Sequence, residues 1–124
     1  MEKSKNGIAL ITGTTSGVGL NTLKPLISSG WNVIAINRSN TRAIYESKRI
    51  LSDEELNCIN FIEIDLSNLE DIRNVSKEIS SKFGSQLKIL ICNAAVYKPR
   101  LKRPERSFQG FENSMAVNHF GHFL

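Results

Sequence analysis

The sequence predicts an α/β protein built on a doubly wound parallel sheet, and three observations carry that prediction. Four apolar runs lack polar alternation, as strands covered on both faces do. Stretches with apolar residues three or four apart lie between them, so strand and helix alternate along the chain. A glycine cluster, Thr12-Gly13-Thr14-Thr15-Ser16-Gly17-Val18-Gly19, directly follows the first run, Ile8-Ala9-Leu10-Ile11.

The first strand is expected over Ile8 to Thr12, followed by a tight turn and a helix carrying Val18, Leu20, Leu23, Leu26 and Ile27. Gly30 closes that helix. Pro25 lies within it and should kink it, because proline removes one backbone bond. Trp31 to Ile36 reads as the second strand. Ser39-Asn40-Thr41 resembles an N-cap, with a modest helix carrying Ala43, Ile44, Ile50 and Leu51 after it. Ile59 to Ile64 is the third strand. Ser67-Asn68-Leu69-Glu70 has the spacing of a capping box, and its helix carries Leu69, Ile72, Val75, Ile79 and Phe83 on one face before Gly84. Leu87 to Cys92 is the fourth strand. A polar loop from Lys98 to Gly110 and a last helix from Phe111 complete the chain.

Right-handed crossovers between such strands give the order 3-2-1-4, a Rossmann-type arrangement with its crevice above the carboxyl ends of strands 1 and 4. Strand 4 is then an apolar edge, and the last helix feeds no further strand. Residues 1–124 are therefore expected to be an NADP-binding domain that is incomplete at its carboxyl end.

Composition narrows the class. The chain has 124 residues, 40% of them apolar and 23% charged, as in ordinary globular proteins. No run approaches membrane-spanning length. Seven residues precede the first strand, too few for a targeting peptide. Cys58 and Cys92 have no paired spacing and read as buried thiols in a reducing, cytoplasmic compartment. The net charge of +4 resides in Lys98, Arg100, Lys102, Arg103 and Arg106 against Glu105. That loop lacks the interleaved aromatics of a nucleic-acid surface and reads as solvated, or as attracting an anionic substrate. His119 and His122 lack the further ligands a metal needs, so no metal site is expected.

A strand that stops in a glycine turn and opens into a helix aims bare backbone N–H groups at one point, and a phosphate is the natural occupant. Gly13, Gly17, Val18 and Gly19 supply that backbone. Thr14, Thr15 and Ser16 add hydroxyls. An NAD site usually places a carboxylate at the end of strand 2. Here Asn37-Arg38-Ser39 stands instead, and the Arg38 guanidinium suits a 2′-phosphate, which favours NADPH. Asp65 either accepts from an adenine amino group or caps the turn before Ser67. Asn93, Ala94 and Ala95 close strand 4 with small side chains beside the glycine loop. Phe111, Met115, Asn118 and His122 share one helical stripe, and a polar Asn118 there needs a partner or a functional role.

Together the T-G-x-x-x-G-x-G loop, Asp65, the Asn93-Ala94-Ala95 segment and Asn118 resemble the short-chain dehydrogenase/reductase family over almost the whole chain. Most members have N-A-G where this chain has Asn93-Ala94-Ala95. The stretches Cys92 to Pro99 and Asn118 to Leu124 look most like the family's light-dependent pigment reductases, although the second is shared with retinol-dehydrogenase-like members. The resemblance implies NADPH held by Gly13, Gly17, Gly19 and Arg38, with Asn93 supporting its centre. It implies a pigment near Tyr97, a proton relay organised by Asn118, and a place at the surface of photosynthetic membranes. It also implies a homo-oligomer for a full-length form. The family's proton donor is a tyrosine with a lysine four residues later. Tyr45 is followed by Arg49 and Tyr97 by Leu101, so the pair does not occur here and the 124 residues are expected to be inactive alone. Two other readings are a reductase of a retinoid, steroid or small carbonyl, against which Ala95 and Tyr97 argue, and a nucleotide-binding module without catalysis.

Overall fold

The four apolar runs pair into one parallel sheet. In the computed structural model, which describes residues 6–94, β1 (Gly7–Thr12), β2 (Trp31–Asn37), β3 (Ile59–Glu63) and β4 (Leu87–Ile91) lie in the order β3-β2-β1-β4. Every pairing is parallel, as the alternation of elements requires. The expected last helix and the basic loop lie outside the described residues. Among the described residues, no helix is long and apolar enough to cross a membrane.

Alternation within the central strands builds a core on each face. Ile8, Leu10, Ile34 and Ile36 pack with Ile72 and Ile79 of α4 (Leu69–Phe83). Ile11, Val33 and Ala35 face the other way and pack with Leu23 of α1 (Gly17–Ser28) and with Leu51. Burying a side chain such as Leu23 contributes about 2 kcal/mol. The outer strands depart from the expected double coverage. β4 alternates between partly buried and exposed positions, and Leu90 is 61% exposed. The expected burial of both thiols is likewise corrected. Cys92 is exposed just past this edge strand, and Cys58 is only partly buried in the turn before β3.

Local chemistry sets the helix ends. Pro25 falls within the last turn of α1, four residues before the C-cap Ser29, and Gly30 follows with φ +92°. Ser39 caps α2 (Asn40–Lys48) by accepting from Arg42 N–H at 3.3 Å. Ile50 and Leu51 lie beyond that helix, not in it. At α4 the expected capping box is replaced. Asn68 is the cap, accepting from Asp71 N–H, because Ser67 is engaged by Asp65.

A capping box does form at α3 (Asp53–Leu56), a single turn that sequence reading missed. Glu55 accepts there from Ser52 N–H at 3.0 Å and pairs with Lys24 at 3.2 Å. The Ser52 N–H first, and then the Lys24 ammonium, hold the Glu55 carboxyl below its ordinary value of 4.5. A depressed carboxyl stabilises the fold above its unfolded value, and that contribution is lost as pH falls through the folded value. Glu55→Gln is therefore expected to flatten the acid-side fall in the urea midpoint. An unchanged acid limb would show that Glu55 contributes nothing to it.

Candidate functional site

The glycine loop leaves β1 at Thr12 and is held from both sides. The Thr12 hydroxyl oxygen accepts from Asn93 N–H and Ala94 N–H, each at 3.0 Å. Asn93 Nδ2 donates to the Gly13 carbonyl at 2.9 Å, and Gly13 N–H donates to the Ile36 carbonyl at 2.9 Å. The ends of β4 and β2 thus fix the loop before α1 begins. Thr14 is fully buried behind it. Its N–H donates to Asn37 Oδ1 at 2.6 Å, and Asn37 Nδ2 donates back to the Thr14 hydroxyl at 2.8 Å. This reciprocal pair ties the loop to the rim of the sheet.

The start of α1 differs from the other helix starts. Ser16 sits at the N-cap but makes no side-chain capping bond, and the first turn carries no acidic residue. In α2, α3 and α4 a side chain caps the first turn. The opening amides of α1 are therefore left without a side-chain cap at the positive end of the helix dipole. Gly17 turns the chain at φ +59°, where nothing lies within 4 Å of an added Cβ, so conformation alone requires glycine there. Gly19 is required by space. An added Cβ would stand 1.8 Å from the Gly13 carbonyl oxygen and 2.5 Å from Asn93 Nδ2.

In front of the loop lies a cleft of about 420 Å³ at the carboxyl ends of the strands. Gly13, Thr15 and Ser16 line one end; Arg38, Ser39 and Arg42 contribute from beyond β2; Asp65, Asn93 and Ala94 complete it. Among the described residues, neither Arg38 nor Arg42 has an ion-pair partner. Asp65 Oδ1 accepts from Ser67 N–H at 2.9 Å and from its hydroxyl at 2.7 Å, so the turn-capping alternative is realised while Asp65 still lines the cleft. Ala95, Tyr97 and Asn118, with His119 and His122, lie outside the described residues.

Sequence reading placed neither Asn37 nor Arg42 in the site, and read Ser39 only as a helix cap. Arg42 had a signal, since Ser39 as N-cap fixes it as the third residue of α2, on the turn nearest the rim. Asn37 had only its place at the end of a buried strand, where an amide needs partners.

A parallel crossover sheet with an uncapped helix start beside its switch point is the arrangement of dinucleotide-type α/β folds. A family model described as short chain dehydrogenase matches residues 7–124, and the chain belongs to that family. It is 38% identical over 117 residues to a chloroplastic protochlorophyllide reductase of Chlamydomonas reinhardtii, covering 94% of this chain and 29% of that protein. It is 36% identical over 121 residues to the chloroplastic protochlorophyllide reductase B of Hordeum vulgare, covering 97% of this chain and 30% of that one. Among solved structures it is similar to 3-ketoacyl-(acyl-carrier-protein) reductase from Brucella melitensis complexed with NADH. That match has a TM-score of 0.69 at 25% identity, over 95% of this chain and 46% of that one. The chain thus spans under a third of the length of these protochlorophyllide reductases.

Proposed function

We propose that the chain is the cofactor-binding part of an NADPH-dependent reductase acting on protochlorophyllide. The observation that carries this reading is the cleft itself, with Gly13, Thr15 and Ser16 of the glycine loop at one end and, among the described residues, two guanidiniums without ion-pair partners toward the other. The cradle fits a dinucleotide because Gly19 lets α1 pack close against the loop, while the space beside the Gly17 backbone is open to an anion. The curated relatives supply the substrate class, since they are named protochlorophyllide reductases.

When bound, NADPH supplies the hydride that adds to a ring D double bond of the pigment. The chain's residues hold and orient that donor. Amides of Gly17, Val18 and Gly19 face the diphosphate, with the Thr15 and Ser16 hydroxyls beside it. Arg38 grips the 2′-phosphate, with Arg42 as a second cation. Asp65 borders the adenine. Asn93, with Ala94, keeps the central ribose close to the end of β4, and Ala95 belongs with the same part of the cofactor. Thr14 acts from behind, through Asn37. Tyr97 belongs with the pigment and Asn118 with the proton relay. A full-length form works as a peripheral protein of photosynthetic membranes.

The Tyr-x-x-x-Lys pair does not occur in these 124 residues. The chain alone is therefore expected to give no light-dependent conversion of protochlorophyllide, and the complete reading frame is expected to give it with NADPH. Absorbance of the reduced pigment after illumination reads both. Turnover by the short chain would refute the inactivity. Failure of the complete protein to reduce the pigment would refute the substrate.

A further inference from the structure

Asn37 and Glu63 are register partners at the ends of β2 and β3. Parallel partners share a face, and Val33, Ala35, Ile59 and Phe61 show that this is the face carrying α1. Asn37 uses its rim position to hold the glycine loop. Glu63 does the corresponding work one strand further out. Its Oε1 accepts at 2.9 Å from the N–H of Asn40, the first residue of α2. The Asn40 side chain adds a second tether, donating to the Phe61 carbonyl at 3.4 Å.

We propose that Glu63 is a positioning residue that sets preference for a 2′-phosphorylated dinucleotide by fixing the first turn of α2, and with it Ser39 and Arg42, at the rim of the cleft. This rests on the reading of that cleft as an NADPH site. α2 has no acidic residue in its own first turn, so the carboxylate that complements its dipole comes from β3. Ser39, Asn40 and Arg42 move as one unit, because Ser39 Oγ accepts from Arg42 N–H. Among the described residues Asn40 Oδ1 is buried without a partner, and the Glu63 bond is the charged anchor of that turn. Releasing the anchor lets the turn swing from the sheet and carries the Arg42 guanidinium away from a 2′-phosphate. The glycine loop stays in place, because its ties run to Asn37, Ile36 and Asn93.

The test compares NADPH and NADH affinities, read by nicotinamide fluorescence, in the complete protein and its Glu63→Ala and Glu63→Gln variants. Glu63→Ala is expected to weaken NADPH binding about fivefold, as for the loss of one helix-start hydrogen bond, with NADH affinity unchanged. Glu63→Gln keeps an acceptor oxygen and is expected to restore most of the preference. An unchanged NADPH-to-NADH ratio in Glu63→Ala would overturn the inference, as would equal losses for both nucleotides. A parent protein with no preference for NADPH would instead sink the cofactor reading on which the inference rests.

Discussion

Gly19→Ala is expected to weaken NADPH binding about 100-fold, on the scale of a misplacement of roughly 1 Å in a positioned site. The reason is the 1.8 Å approach of the added Cβ to the Gly13 carbonyl oxygen. That carbonyl cannot retreat, because it accepts from Asn93 Nδ2 while Gly13 N–H is bonded to Ile36. Helix α1 must therefore shift outward, taking the amides of its first turn with it. Such overpacking costs about 1–3 kcal/mol of stability, so thermal denaturation should show a fall of several degrees alongside the calorimetric loss. Retention of wild-type NADPH affinity by a folded Gly19→Ala protein would mean that the diphosphate does not depend on this junction.

Arg38→Ala has the second large effect, and it is selective. A guanidinium without an ion-pair partner among the described residues is available to a doubly charged 2′-phosphate, and bonds to charged groups are worth about 1.5–3 kcal/mol each. NADPH affinity is expected to fall roughly 10- to 100-fold while NADH affinity holds, as competition between the two nucleotides would report. Equal losses for both would assign Arg38 a general structural role. The two substitutions separate the ends of the cleft: Gly19→Ala impairs both nucleotides, Arg38→Ala only the phosphorylated one.

The sheet order and the glycine loop were legible because each rests on a strong local signal. β1 holds a continuous apolar run from Ile8 to Ile11 and β2 one from Val33 to Ile36, and punctuation by Gly13, Gly17 and Gly30 separates them from α1. Where several polar residues compete for one helix start, local pattern fails. Ser67 looked like the cap of α4, but Asp65 accepts from both its N–H and its hydroxyl, and Asn68 takes the cap. The single turn α3 escaped notice because four residues carry no apolar period, although Ser52 and Glu55 had the spacing of a capping box. Cys92 was read as buried from its apolar neighbours, but burial depends on a covering element that sequence pattern does not supply.

The site divided along the same line. Glycines, Arg38 and Asn93 announce themselves by residue type and place. Asn37 does not, and Thr14, expected to offer its hydroxyl to the ligand, is instead buried against Asn37, because their pairing spans 23 positions and exists only once β2 lies beside β1. Arg42 joins the cleft because Ser39 starts α2 where it does, a fact of capping geometry and not of any nucleotide motif.

The most direct test follows backbone amide resonances of the isotope-labelled complete protein during titration with NADPH. The amides of Gly17, Val18 and Gly19 are expected to shift most, with the Arg38 side chain responding to NADPH and not to NADH. Saturable binding that leaves those three amides unmoved would contradict it.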